Sequence, residues 1–125
     1  MLFAIALGGA VGSVLRYGIG SMLQQRVGAG FPVGTLVVNV TGSLLLGFLV
    51  RYLFETTVSP EMRAALTIGL CGGYTTFSTF SVDTVRLIEE GSWERASAYV
   101  LASVVLSLLA TIAGLALARV VLAHR

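Results

Sequence analysis

Four runs of about 20 mostly apolar residues, joined by short charged linkers, limit this chain to a helical membrane fold, because a helix needs about that length to cross a hydrocarbon core. The runs are Leu2 to about Leu23, Pro32 to Val50, Ala64 to about Ile88 and Ala96 to Ala118 (2–23, 32–50, 64–88 and 96–118). Lipid is their natural solvent: 56% of the residues are hydrophobic and 11% charged, where a soluble domain carries about a quarter charged. The expectation is one all-α membrane domain over residues 1–125. Leu2 to Leu15 has no basic stretch ahead of it, and its first charge, Arg16, comes after the apolar run. It therefore reads as a retained first span and not as a signal peptide.

Several function classes drop out. The basic residues are all Arg, scattered singly, and the net charge is only +2, so no phosphate-binding stripe forms and nucleic acid is not a partner. Cys71 is the single cysteine and His124 the single histidine, which spells out neither an internal disulfide nor a metal cluster. No Gly-rich loop ending in Lys and Ser or Thr is present for a nucleotide. Nothing in the chain reads as an enzyme.

Four spans put both termini on one side, and orientation should then follow the arginines. Arg51, Arg63, Arg119 and Arg125 fall on the side of the termini, and Arg26, Arg86 and Arg95 on the other. That bias is too small to fix a topology. Either other residues set one orientation, or the chain inserts both ways and pairs as an antiparallel dimer.

Gly8, Gly12 and Ser13, then Gly42, Ser43 and Gly47, then Gly69 and Gly73 include pairs three or four residues apart, a spacing that lets membrane helices approach closely. The third run is a poor continuous helix. Gly72 and Gly73 are followed by Thr75, Thr76, Ser78, Thr79 and Ser81, which lower helix propensity where lipid demands complete backbone hydrogen bonding. We expect a break there, with its freed carbonyls able to ligate a cation. The alternative is an intact helix whose hydroxyls bond back to their own carbonyls.

Tyr99, Ser103, Ser107 and Thr111 recur every four residues and share one helical face. Such a hydroxyl ladder either donates to a partly dehydrated anion or binds neighbouring helices. Phe77 and Phe80 are packing residues or present electropositive ring edges to an anion. Asn39 donates to an anion or clamps a backbone carbonyl, since an unpaired carboxamide at mid-membrane is costly. Arg16 calls for a vestibule, a snorkelling route or a partner. Asp83 is placed to pair with Arg86 at i, i+3.

Gly9, Gly12, Arg16 and Tyr17, then Gly34, Thr35, Asn39, Gly42, Ser43 and Gly47, and the string GGYTTFSTFS from Gly72 to Ser81 together resemble the CrcB/Fluc fluoride channel family over the whole chain. The resemblance implies an antiparallel, dual-topology homodimer in the bacterial cytoplasmic membrane that exports fluoride passively. In that picture Asn39, Phe77, Phe80, Tyr99, Ser103, Ser107 and Thr111 form the fluoride pathway, and Arg16 and Thr35 stand near its vestibule. It also implies a structural sodium ion at the dimer interface, held by the backbone carbonyls of Gly72 and Thr75 from each subunit. The rival reading is a proton-coupled exporter similar to the small multidrug transporters, which needs a membrane carboxylate that the first run lacks. A third is a non-transporting assembly partner.

Overall fold

Where each helix stops is decided by a few polar residues and glycines at its ends. The computed structural model describes residues 1–125 and is helical throughout, with no strand. Helix α1 (Leu2–Val27) ends at Gly28, whose φ of 89° lies in the left-handed region that glycine adopts without a steric cost. Gln24 fastens the turn that follows. Its side-chain amide donates to the carbonyls of Gly28 and Phe31, and its oxygen accepts from the Gly34 N–H at 3.1 Å, at the start of α2 (Val33–Phe54). Helix α3 (Pro60–Ala64) begins with the Ser59 hydroxyl accepting from the Met62 N–H and with proline in the first turn, where its missing N–H costs nothing.

From Ala65 to Cys71 the chain widens into a π-helix and then tightens into the single turn α4 (Gly72–Tyr74). Thr75 (φ −81°, ψ 158°) and Thr76 (φ −152°, ψ 114°) are extended. The Thr76 hydroxyl then caps α5 (Phe77–Glu89) by accepting from the Thr79 N–H at 3.1 Å. Helix α5 stops at Gly91 (φ 77°), where Ser92 N–H donates to Leu87 and Gly91 N–H to Ile88, the paired bonds of a Schellman cap. Helix α6 (Trp93–Ala123) completes the chain.

Helices α1, α2 and α6 are long and apolar enough to cross a membrane. The third apolar run is not one helix: it is interrupted at Thr75 and Thr76, where the sequence led us to expect a break. The helices also outrun the apolar runs, α1 to Val27 and α2 to Phe54, with α6 starting at Trp93. Hydropathy marks the hydrocarbon slab, whereas a helix continues into the polar interface until something caps it. Arg26, Arg51, Arg63 and Arg86 all sit in last turns, opposite the negative end of the helix dipole.

Glycine sets how closely the helices cross. A Cβ on Gly8 would run into the Ala65 carbonyl, one on Gly69 would lie 2.6 Å from the Ile5 carbonyl oxygen, and one on Gly73 2.6 Å from that of Gly9. Helix α1 is thereby seated directly on the π-helical segment. The most extensive packing is α2 on α6, where Gly47 meets the Thr111 backbone and Gly114 meets that of Leu44 and Phe48.

Candidate functional site

One turn of α2 templates the break. The Asn39 carboxamide pairs with both sides of the Thr76 residue: its Nδ2 donates to the Thr76 carbonyl at 3.0 Å, and its Oδ1 accepts from the Thr76 N–H at 2.8 Å. Two residues on, the Thr41 and Tyr74 hydroxyls share a 2.8 Å hydrogen bond. Gly42 leaves room between them for the Tyr74 ring and the Thr75 methyl. Extended backbone inside a membrane bundle survives only when its polar groups are met in this way. Of the two readings of Asn39, the clamp is therefore present. Only one of its two amide hydrogens is used in it.

In a continuous helix the Gly72 carbonyl would receive the Thr76 N–H, which here goes to Asn39. No backbone or side-chain donor reaches the Thr75 carbonyl either, while the Thr75 N–H and hydroxyl both turn back to Cys71. The break thus frees backbone oxygens at Gly72 and Thr75, the two positions to which the family resemblance assigned a cation.

A cavity of about 370 Å³ opens beside the break. Asn39, Thr75, Phe77, Phe80, Ser103 and Ser107 line it, together with Ser43 and Thr76. The structure therefore brings together five of the seven residues expected along a pathway. The Phe77 and Phe80 rings stand 5.5 Å apart at 44°. Phe77 is 79% exposed, so one flank of the cavity is left open by a single chain.

Ser103 is the most informative member. Thr41, Thr67, Ser81, Thr84 and Thr111 each spend their hydroxyl on the carbonyl one turn back, the ordinary fate of a hydroxyl on a helix. Ser103 lines the cavity at 7% exposure, while its hydroxyl oxygen is itself shielded and has no hydrogen-bond partner. A buried hydroxyl without a bond is costly, and this one stands just behind the cavity wall with its donor unspent.

The other two rungs of the ladder lie elsewhere. Thr111 donates to the Ser107 carbonyl at 3.0 Å and packs on Gly47, beyond the cavity. Tyr99 is fully buried, and its hydroxyl donates to Asp83 Oδ2 at 3.1 Å. Its ring packs 5.2 Å from Phe80 and edge-on to Phe31 at 5.6 Å. Tyr99 lines neither this cavity nor the second one, but it touches a wall residue of each.

That second cavity, about 470 Å³, is polar. Arg16 and Thr35, the two residues expected at a vestibule, both line it, with Thr79, Asp83 and Arg86. Thr76 is common to both cavities. The expected Asp83–Arg86 pair is present at 3.3 Å. Sequence reasoning did not single out Thr76, Thr79 or Ser43 as lining residues. The signal for the first two was the T-x-x-T spacing of a helix cap inside the string TTFSTF.

Comparison with known proteins identifies the family. Residues 3–115 match the family model described as CrcB-like protein, Camphor Resistance (CrcB). The chain is 53% identical to the fluoride-specific ion channel FluC of Rhizobium meliloti (strain 1021) over 119 residues, covering 94% of this chain and 95% of that one. It is 50% identical over 121 residues to the protein of the same name from Nitrobacter winogradskyi, covering 96% of each. It is 48% identical over 119 residues to that from Geobacter metallireducens, covering 94% of this chain and 96% of the relative.

Proposed function

The chain belongs to the CrcB-like family, and on that premise we propose that it is a fluoride-selective channel of the bacterial cytoplasmic membrane, lowering cellular fluoride by passive export. The observation that carries this reading is the gathering of Asn39, Phe77, Phe80, Ser107 and Ser103, whose hydroxyl has no partner, around one cavity. Fluoride is small and strongly hydrated, so a pathway must replace its water with donors that do not hold it fast. Hydroxyls, one free amide hydrogen and electropositive ring edges meet that need without a fixed cation. In acid surroundings fluoride enters cells as neutral HF and is trapped on dissociation, so a selective leak driven by the membrane potential suffices.

The assembly follows from the same features. The interrupted segment from Pro60 to Glu89 completes four spans, and its extended residues are tolerable at membrane depth because Asn39 meets them. An antiparallel homodimer would close the flank left open at Phe77, and the near-even arginine count is consistent with insertion both ways. The free carbonyls suit a hard monovalent cation such as sodium. Gly72 and Thr75 would hold it, with the same pair from a second copy completing the shell. Bound there, sodium would tie the two breaks together.

The exporter reading is not favoured. Helix α1 carries no carboxylate, and Asp83 in α5 is already paired with Arg86 and Tyr99.

The test is release of fluoride from liposomes containing the purified protein, followed with a fluoride electrode beside a matched chloride preparation. Rapid fluoride release with little chloride release is expected. Silence from folded, dimeric protein would overturn the reading. Phe80→Ile keeps an apolar side chain of similar bulk but has no ring edge, and should cut fluoride efflux by about tenfold or more with the dimer intact. Unaltered efflux would remove the ring from the pathway.

A further inference from the structure

A carboxylate on the wall of an anion's entrance needs an explanation, and Asp83 is the only carboxylate lining the polar cavity. It is 8% exposed, and each oxygen has one partner: Oδ2 receives the Tyr99 hydroxyl at 3.1 Å, and Oδ1 faces Arg86 Nη2 at 3.3 Å. The first bond has a clear use. It holds the buried Tyr99 ring against Phe80, on the wall of the inner cavity. A neutral acceptor would do the same for Tyr99, so the charge is a by-product that the site must cancel.

Arg86 lies one helical turn further along α5 and reaches back to Asp83, and its side chain, 56% exposed, forms part of the cavity lining. From the opposite wall α1 contributes one more charge, Arg16, with neutral Tyr17 and Gln24. The lining therefore sets two guanidiniums against one carboxylate. Without Arg86 the charges would only balance, with the negative one in the same cavity lining as Thr76, the residue common to both cavities.

Accepting the fluoride channel reading, we propose that Arg86 is a charge-balancing residue of the entrance. It cancels the Asp83 carboxylate that positions Tyr99, so that an anion approaches the inner cavity against a net positive wall. A charged cleft changes local ion concentration and entry rate by about ten- to a thousand-fold, and the effect shrinks as salt screens it.

The experiment compares fluoride efflux from liposomes carrying wild type, Arg86→Gln, Asp83→Asn and the double variant, at low ionic strength and in about 1 M of a salt with an impermeant anion, where screening acts over roughly 3 Å. Arg86→Gln should lose about tenfold at low salt and recover most of it at high salt. Asp83→Asn in the same chain should restore efflux to within about twofold, because Asn still accepts from Tyr99 but carries no charge. Unchanged efflux in Arg86→Gln overturns the proposal. So does a loss that neither salt nor Asp83→Asn relieves, which would make Arg86 a structural residue only. No fluoride release from wild type would instead bring down the channel reading on which the proposal stands.

Discussion

Asn39→Ala should abolish fluoride efflux, and it should do so by releasing the break before any ion is considered. The substitution strips the Thr76 N–H and carbonyl of their partners together, bonds of 2.8 and 3.0 Å made across 37 residues of chain. Thr76 is buried, and two polar backbone groups left unmet there cost about 1–3 kcal/mol each. The segment can relieve that cost only by rewinding toward helix or by drawing in water, and either moves Thr75, Thr76 and Phe77 from the cavity wall. Amide exchange over Thr75 to Thr79 should accelerate, and efflux should fall by well over tenfold. Asn39→Asp is a sharper version. It can still accept from the Thr76 N–H but cannot donate to the carbonyl, and it sets a negative charge beside an anion's path. It should be as inactive as the alanine variant while exchanging less. Wild-type exchange and efflux in both would show that the clamp is idle.

The break itself was legible, because Gly72, Gly73, Thr75 and Thr76 lower helix propensity locally. The π-helix just before it was not. Nothing in Ala65 to Cys71 differs from an ordinary helical run, and the widened turn lies against the glycine face of α1, a tertiary contact with no local signature. The choice between ion donor and clamp at Asn39 stayed open for the same reason: its partner is 37 residues away.

The hydroxyl ladder teaches a related point. Four-residue spacing fixes the angle of Tyr99, Ser103, Ser107 and Thr111 around α6, but those twelve residues advance about 18 Å along its axis. Over that distance the neighbour changes. Tyr99 meets α5, Ser103 and Ser107 meet the cavity, and Thr111 meets α2 at Gly47. Periodicity predicts a shared face and is silent on what each level of it touches. Gly114 was passed over in the sequence because it has no glycine partner in its own helix. Its counterpart is the backbone of Leu44 and Phe48 in α2.

The second large effect is expected from a residue that touches no ion. Gly12→Leu should destroy both the fold of the break and fluoride efflux. Gly12 is the one buried residue of α1, and a Cβ there would meet the Leu70 carbonyl, with the Tyr74 nitrogen at 2.8 Å and the Gly73 carbonyl carbon at 3.1 Å. These are backbone atoms on the last turn before the extended residues, so no side-chain rotation relieves the clash. Either α1 lifts away, taking Arg16 from the polar cavity wall, or the turn Gly72–Tyr74 is pushed toward α2, where the Tyr74 ring already fills the space beside Gly42. Overpacking of this kind costs about 3 kcal/mol or more. Gly12→Ala should give a graded loss of thermal stability and efflux. Gly18→Ala on the same helix, where a Cβ meets nothing within 4 Å, should be close to neutral in both. If Gly12→Ala and Gly18→Ala behave alike, the close approach of α1 to the turn before the break is not what holds that turn in place.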